Sequence, residues 1–274
     1  MNIQATILAD SINVAGIRLV TFHLRYPFAL HHQFMTHRIF SRNGSSSRAI
    51  PVETLIDDVR NDPYIPEGLA ANKAGMVPGD ELDEETKMEI LRLHEEHRKF
   101  SILTALRISK LGAHKQYANQ YLNLHRHIDM VVSSTDWDNF LDQRMASDAR
   151  EEIRVLAEII CSKLIDSDPR LLKDGEWHLP FILPEDRLVE SVDRCVGRSA
   201  ARCARTSYKK HDKSDATWDE DMTLYYRLIQ MKHMSPLEHQ AKADSRIRDL
   251  DIRRSGNFLL GWVQHRKQVE RSLV

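Results

Sequence analysis

Between Arg25 and Pro51 the chain gathers more polar chemistry than any other stretch of its length. Gln33, His37 and Arg38 come first; Ser41, Asn43, Gly44, Ser45, Ser46, Ser47 and Arg48 follow. Small residues let backbone N–H groups approach an anion, hydroxyls add donors, and Arg38 and Arg48 add charge, so this run suits a phosphate. The same composition also suits a flexible serine-rich connection after a helix. The residues alone leave both readings open.

The elements that must position these groups follow from periodicity. Residues 3–10 and 14–24 read as two strands rich in Ile, Val, Thr and Phe. Pro27 stops the second, because proline cannot donate to a strand ladder and suits a first helical turn. Phe28 to Arg38 reads as a short helix on Phe28, Leu30, Phe34 and Met35, and the serine-rich loop follows it. Pro51 opens a helix over Val52 to Arg60. Residues 61–83 form a loop rich in proline and glycine. A long helix then runs from Asp83-Glu84-Glu85 to about Leu111, with an apolar stripe of Met88, Ile90, Leu91, Leu93, Phe100, Leu103, Leu106 and Ile108. Ala113 to Leu124 is helical, His127 to Ser134 a strand, and Asp136 to Gln143 and Ser147 to Ile165 are helices. After a loop at 166–188, helices are expected over Ser191–Arg205 and Thr217–Lys232.

Composition narrows the function classes. The 274 residues can bury a sizeable core. Charge is balanced, 39 Lys and Arg against 40 Asp and Glu, so there is no overall basic field for nucleic acid and any anion site is local. Charged residues make up 29% of the chain, no apolar run approaches membrane-spanning length, and the start lacks the features of a signal peptide. Three cysteines, Cys161, Cys195 and Cys203, suggest reduced thiols in a cytoplasm rather than a disulfide framework or a zinc site. Fourteen dispersed histidines, including His31-His32 and His125-x-His127, read as surface or hydrogen-bonding groups, with no metal expected.

Three segments resemble flavin-dependent thymidylate synthases. In the first, His37, Arg38, Ser41, Asn43, Ser46 and Arg48 match the family's Arg-His-Arg-x-x-Ser-x-Asn-Glu-x-Ser-x-Arg-Tyr. Thr36 stands in place of the first Arg, Gly44 of Glu and Ala49 of Tyr. Upstream, Phe22 to Pro27 and Gln33 also fit. In the second, Asn139 and Arg144 match an Asn/His-Phe-x-x-x-Arg stretch that precedes a helix like Glu151-Glu-Ile-Arg154. Asn119 stands where the family has a nucleotide-binding arginine. In the third, Ala204-Arg-Thr-Ser-Tyr208 and Ser235-Pro-Leu-Glu-His239 resemble pieces that usually precede the Arg-His-Arg segment. Here they follow it, as a circular permutation or a partial duplication would produce. The chain thus reads as a core over 1–185 and a C-terminal segment over 186–274 resembling the family's usual N-terminal part.

The resemblance implies an α+β fold, an antiparallel sheet packed with several long helices. It implies reductive methylation of dUMP to dTMP, with FAD as cofactor and NADPH and methylenetetrahydrofolate as co-substrates. Gln33, Ser46, Arg48, Asn119 and Arg144 would hold the nucleotide. His37, Arg38, Asn43, Asn139, Ser207 and His239 would hold the flavin, with no enzyme nucleophile. A homo-oligomer, tetramer or dimer, is expected. The departures at Thr36 and Gly44 admit two variants: water instead of hydride quenching the methylene, giving hydroxymethyl-dUMP, or a changed base such as dCMP. They also admit a chain retained only to bind nucleotides. A reading from another class is a nucleic-acid-binding module using Arg202, Arg205, Lys209, Lys210, Arg246, Arg248, Arg253 and Arg254, though acidic residues interleave with them.

Overall fold

The computed structural model describes residues 2–75, 77–207, 216–247 and 252–273, with Ser207 described by its backbone. Strands β1 (Gln4–Asn13) and β2 (Arg18–Pro27) form a hairpin. β3 (Ser41–Gly44), β4 (His127–Ser134) and β5 (Arg170–Leu172) complete a five-stranded sheet in the order β3-β4-β2-β1-β5, antiparallel except for the β1–β5 pair. A second sheet joins β6 (Trp177–His178), β7 (Ala241–Ala243) and β8 (Trp262–Gln264). The helices are α1 (His31–Phe34), α2 (Val52–Asn61), α3 (Glu84–Lys110), α4 (Lys115–Asn119), α5 (Asp138–Arg144), α6 (Glu151–Asp166), α7 (Asp186–Val189), α8 (Val192–Ala204), α9 (Trp218–Gln230), α10 (Ile252–Ser255) and α11 (His265–Ser272). This is the α+β, predominantly antiparallel fold that the sequence led us to expect.

Strand alternation gives the large sheet two different faces. Val20, Phe22, Leu24 and Tyr26 of β2, with Ile128, Met130 and Val132 of β4, bury one face against Ile153, Leu156, Ala157 and Ile160 of α6. Phe34, Phe40, Trp137 and Phe140 close that core. The opposite face carries Leu19, Thr21, Ser11, Ser41 and Ser133, all buried. Leu19 packs on Ala241, Ala243, Phe258 and Trp262, so this face is covered by the later part of the chain.

Several boundaries differ from expectation for identifiable reasons. The helix expected over Phe28 to Arg38 is a 3-10 turn, Phe28–Leu30, followed by the single turn α1. Side chains take the carbonyls that a longer helix would use: Thr36 Oγ1 donates to Gln33 O at 2.7 Å, and Arg42 donates to Met35 O at 3.0 Å and His37 O at 3.2 Å. Ser41 to Gly44, read as loop, pairs with β4 as a strand. The helix expected over Ala113 to Leu124 is α4 followed by a 3-10 segment, Gln120–His125. Pro27 ends β2 as expected and still pairs with His127.

α3 starts at the acidic run where it was expected, with Asp83 as its cap, accepting from the Thr86 amide. Its apolar stripe packs only in part: Leu106 and Ile108 lie against the core, but most of the rest does not. Met88, Leu91, Leu93, Phe100 and Leu103 are exposed, whereas Ser101, Ile102 and Ala105 are buried against α2 and Leu122. Small residues at 101 and 105 permit the close approach. His125, read as a surface or hydrogen-bonding histidine, lies between two histidines of α3: His97 Nδ1 is 2.8 Å from its Nε2 and His94 Nε2 3.2 Å from its Nδ1. Among the described residues no three metal-ligating side chains cluster suitably for an ion, and no helix is long and apolar enough to cross a membrane.

Candidate functional site

The serine loop leaves β3 at Gly44 and is clamped at once. Ser45 N–H donates to Asp129 O at 2.8 Å, and Ser45 Oγ accepts from the Asp129 amide at 3.2 Å. Farther along, α4 draws the loop's carbonyls to one side. Asn119 Nδ2 donates to Ser47 O at 2.7 Å and Ile50 O at 2.9 Å, and Lys115 Nζ donates to Ala49 O at 2.6 Å. Asn119 is fully buried. The sequence suggested it as a nucleotide contact; it is found as the anchor of the loop.

A cavity of about 320 Å³ opens beneath that loop. Gly44, Ser45, Ser46 and Ser47 form one wall, Phe28, Met35, Ile128 and Met130 supply apolar surface, and Arg42, Arg126 and His31 supply nitrogen donors and charge. A side chain at Gly44 would intrude on Met130, whose Sδ lies 2.1 Å from where a Cβ would stand. Burial, with the nearby Arg126 and Arg42 charges, keeps the His31 pKa below its ordinary value. Arg42 and Arg126 are functional candidates that sequence reasoning missed. Arg42 sits inside the matched motif at a position to which the family pattern gives no role. Arg126 lies just after a 3-10 segment, in no motif at all.

A second group surrounds His37. Arg144 Nε donates to His37 Nε2 at 2.9 Å, and Arg144 Nη2 donates to Thr36 Oγ1 at 3.1 Å. The His37 ring packs on Phe40 and Phe140. Burial, then the Arg144 and Arg42 charges, push its pKa down to about 4, so it is neutral at pH 7. Gln33 Oε1 is buried nearby in sequence without a partner. The structure thus brings together Gln33, Thr36, His37 and Arg144.

The expected flavin residues separate into three kinds. Asn43 is held inside the chain: its Nδ2 donates to Cys203 O at 2.7 Å and its Oδ1 accepts from Ser235 Oγ at 3.2 Å. His239 is fully buried in a polar chain that crosses the sheet. Ser133 Oγ lies 2.9 Å from His239 Nδ1 and 2.6 Å from Thr21 Oγ1; Thr21 Oγ1 lies 2.8 Å from His178 Nε2, whose Nδ1 reaches Ser11 Oγ at 3.0 Å. Burial holds both imidazoles at a pKa of about 3, and His239 Nε2 has no partner. Arg38 and Asn139, by contrast, are exposed, as are Ser46 and Arg48 at the loop. Ser207 ends a 3-10 turn, Arg205–Ser207, beside β3 and β4; its side chain lies outside the described residues, as does Tyr208.

Of the basic residues considered for nucleic acid, Arg202, Arg205 and Arg254 are at least partly buried on acids, whereas Arg246 and Arg253 are exposed. Arg202 and Arg205 each donate to the buried Asp221 carboxylate at 2.9 Å, and Arg246 and Arg254 to Asp244 at 2.8 and 3.0 Å. Lys209, Lys210 and Arg248 lie outside the described residues.

The α+β scaffold thus carries a serine-lined cavity, flanked by arginines, at the edge of its antiparallel sheet. Residues 17–170, more than half of the chain, match the family described as "Thymidylate synthase complementing protein", and the chain belongs to that family. Two solved structures of a UMP/dUMP methylase, PolB from Streptomyces cacaoi, are similar to it. The one bound with 5-Br UMP is 14% identical, covers 60% of this chain and 88% of its own, and superposes with a TM-score of 0.49. The one bound with 5-Br dUMP is 13% identical, covers 60% and 90%, and has a TM-score of 0.48. No curated protein matches the chain significantly.

Proposed function

We propose that this protein is a flavin- and folate-dependent enzyme that modifies C5 of a uracil nucleotide, converting dUMP to dTMP with methylenetetrahydrofolate and NADPH. The observation that carries the reading is the cavity under Ser45–Ser47, in a chain of the thymidylate synthase complementing family. Its volume lies within the range of small-molecule sites, which begins at roughly 300 Å³. The loop offers hydroxyls to a phosphate while Asn119 and Lys115 hold its carbonyls away. Gln33, with its unpartnered buried Oε1, would bond the nucleotide.

FAD, when bound, supplies the hydride that no side chain can provide. The fit of the residues to it is uneven. Arg38 and Asn139 present free surfaces that could hold a flavin. The Arg144–His37 bond fixes the turn carrying Arg38 against the helix carrying Asn139. Asn43 and His239 are engaged within the chain, and in this reading they secure the C-terminal segment. Ser46 and Arg48 stay with the nucleotide. Arg144 acts through His37 as a positioning residue. The exposed apolar face of α3, with Leu93, Phe100 and Leu103, supports a homo-oligomer.

The test is to purify the protein with added FAD, record its absorbance, then supply dUMP, methylenetetrahydrofolate and NADPH and identify the nucleotide by mass. Bound flavin and dTMP support the reading. A hydroxymethyl product would keep the substrate and replace the final hydride by water. No flavin and unchanged dUMP would overturn it.

A further inference from the structure

We infer that Arg126, together with Arg42, is the cation pair that fixes a phosphate monoester dianion in the cavity, a role the family resemblance gives to Arg48 and Arg144; this rests on reading the cavity as the nucleotide site. Arg126 is 2% exposed and lines the cavity. Its two close contacts are neutral. Its Nε donates to Asn123 Oδ1 at 3.0 Å, and its guanidinium lies over the Phe28 ring, 4.6 Å from the centroid. Phe28 is held in register, because its amide donates to Arg126 O at 2.9 Å.

Among the described residues no carboxylate comes within ion-pair distance of Arg126 or Arg42. Asp58 and Asp129 act on Arg126 only at longer range. Arg42 spends its close contacts on the carbonyls of Met35 and His37. The cavity wall therefore holds two guanidinium groups and no acid.

Several of the chain's other inward arginines sit on acids, whereas Arg144 and Arg187, less buried than Arg126, bond neutral groups as it does. Arg150 sits on Glu152, Arg202 and Arg205 on Asp221, and Arg254 on Asp244. A charge buried without a counter-ion destabilises a fold, so an arginine kept that way points to a ligand that brings the counter-charge. Two guanidinium groups beside three serines match a dianion with three oxygens, since guanidinium can bind such a group bidentately. Arg48, at the far end of the loop, is exposed and does not line the cavity.

The test measures binding by calorimetry, so turnover is not needed. dUMP, deoxyuridine and inorganic phosphate are titrated into the wild type, Arg126→Met, Arg126→Lys and Arg48→Met. Arg126→Met should weaken dUMP at least tenfold while leaving deoxyuridine, which has no phosphate, as it binds the wild type. Arg126→Lys should recover part of the loss, and Arg48→Met should cost less than Arg126→Met. Without ligand, Arg126→Met should melt at or above the wild type, because an unpaired buried charge has been removed. Unchanged dUMP binding in Arg126→Met, equal loss of dUMP and deoxyuridine, or a melting point well below the wild type would overturn the inference. Arg126-dependent binding of inorganic phosphate without any binding of dUMP would support the anion site and sink the nucleotide reading.

Discussion

Arg144 Nε donates to His37 Nε2 at 2.9 Å, joining two residues that sequence comparison assigns to different ligands. The geometry fixes the histidine's chemistry. Nε2 accepts, so the proton of the neutral ring sits on Nδ1. Thr36 belongs to the same arrangement, since its hydroxyl accepts from Arg144 Nη2 at 3.1 Å. An arginine at position 36, as in the family pattern, would place a like charge there.

Arg144→Met should therefore raise the His37 pKa from its value of about 4 toward its ordinary range. The rise should be partial, because burial is the larger cause and remains. Titration of the His37 ring proton by NMR reads this directly. An unmoved pKa would mean that Arg144 does not face His37 in solution.

Asn119→Ala should release the loop without touching the cavity wall. It removes two hydrogen bonds to backbone carbonyls at a fully buried position, a loss of about 1–3 kcal/mol. The expected signature is a lower melting temperature and a raised KM for the nucleotide, with kcat changed less. A kcat loss at unchanged KM would contradict the anchoring role.

Gly44 and Met130 should be energetically coupled. Gly44→Ala brings a Cβ against Met130 Sδ, and overpacking of this kind costs about 1–3 kcal/mol. Met130→Ala alone leaves a hole in a buried core site. The double variant should lose less than the two single losses combined, as denaturant unfolding would show. Simple additivity would refute the contact.

Stability should fall on mild acidification. Burial is the leading cause that holds His178 and His239 at about 3, and His37, His125 and His265 at about 4, all below the ordinary 6.5. Below pH 6.5 the unfolded chain takes protons that the folded chain refuses. The contribution is complete above 6.5 and is lost as pH drops, toward about 4 for His37, His125 and His265 and toward about 3 for His178 and His239. For the two fully buried rings this amounts to about 1.4 kcal/mol per pH unit each. Melting temperatures at about pH 7.5 and about pH 5 test it, and His239→Gln should flatten the slope. A melting temperature independent of pH would show these rings to be solvated.

Much of the scaffold was legible in the sequence because local signals carry it. The strand His127–Ser134 was read with its observed limits, and Asp83, Ser191 and Thr217 cap the helices they were expected to begin. The site was legible only where a motif runs along the chain, as at Ser45–Ser47. Arg126 was hidden because its meaning depends on what is missing around it: a carboxylate partner that only the folded neighbourhood reveals as absent. The pairing of His37 with Arg144 spans 107 residues, and no periodicity records it. The outward apolar face of α3 was misread because periodicity finds a stripe without saying which side has company.

The most direct test of the account is a crystal structure of the protein with dUMP. The nucleotide should lie in the cavity beneath Ser45–Ser47, its phosphate within hydrogen-bond reach of the serine hydroxyls and the Arg126 guanidinium. A nucleotide bound elsewhere, with that cavity free of it, would contradict the assignment of the site.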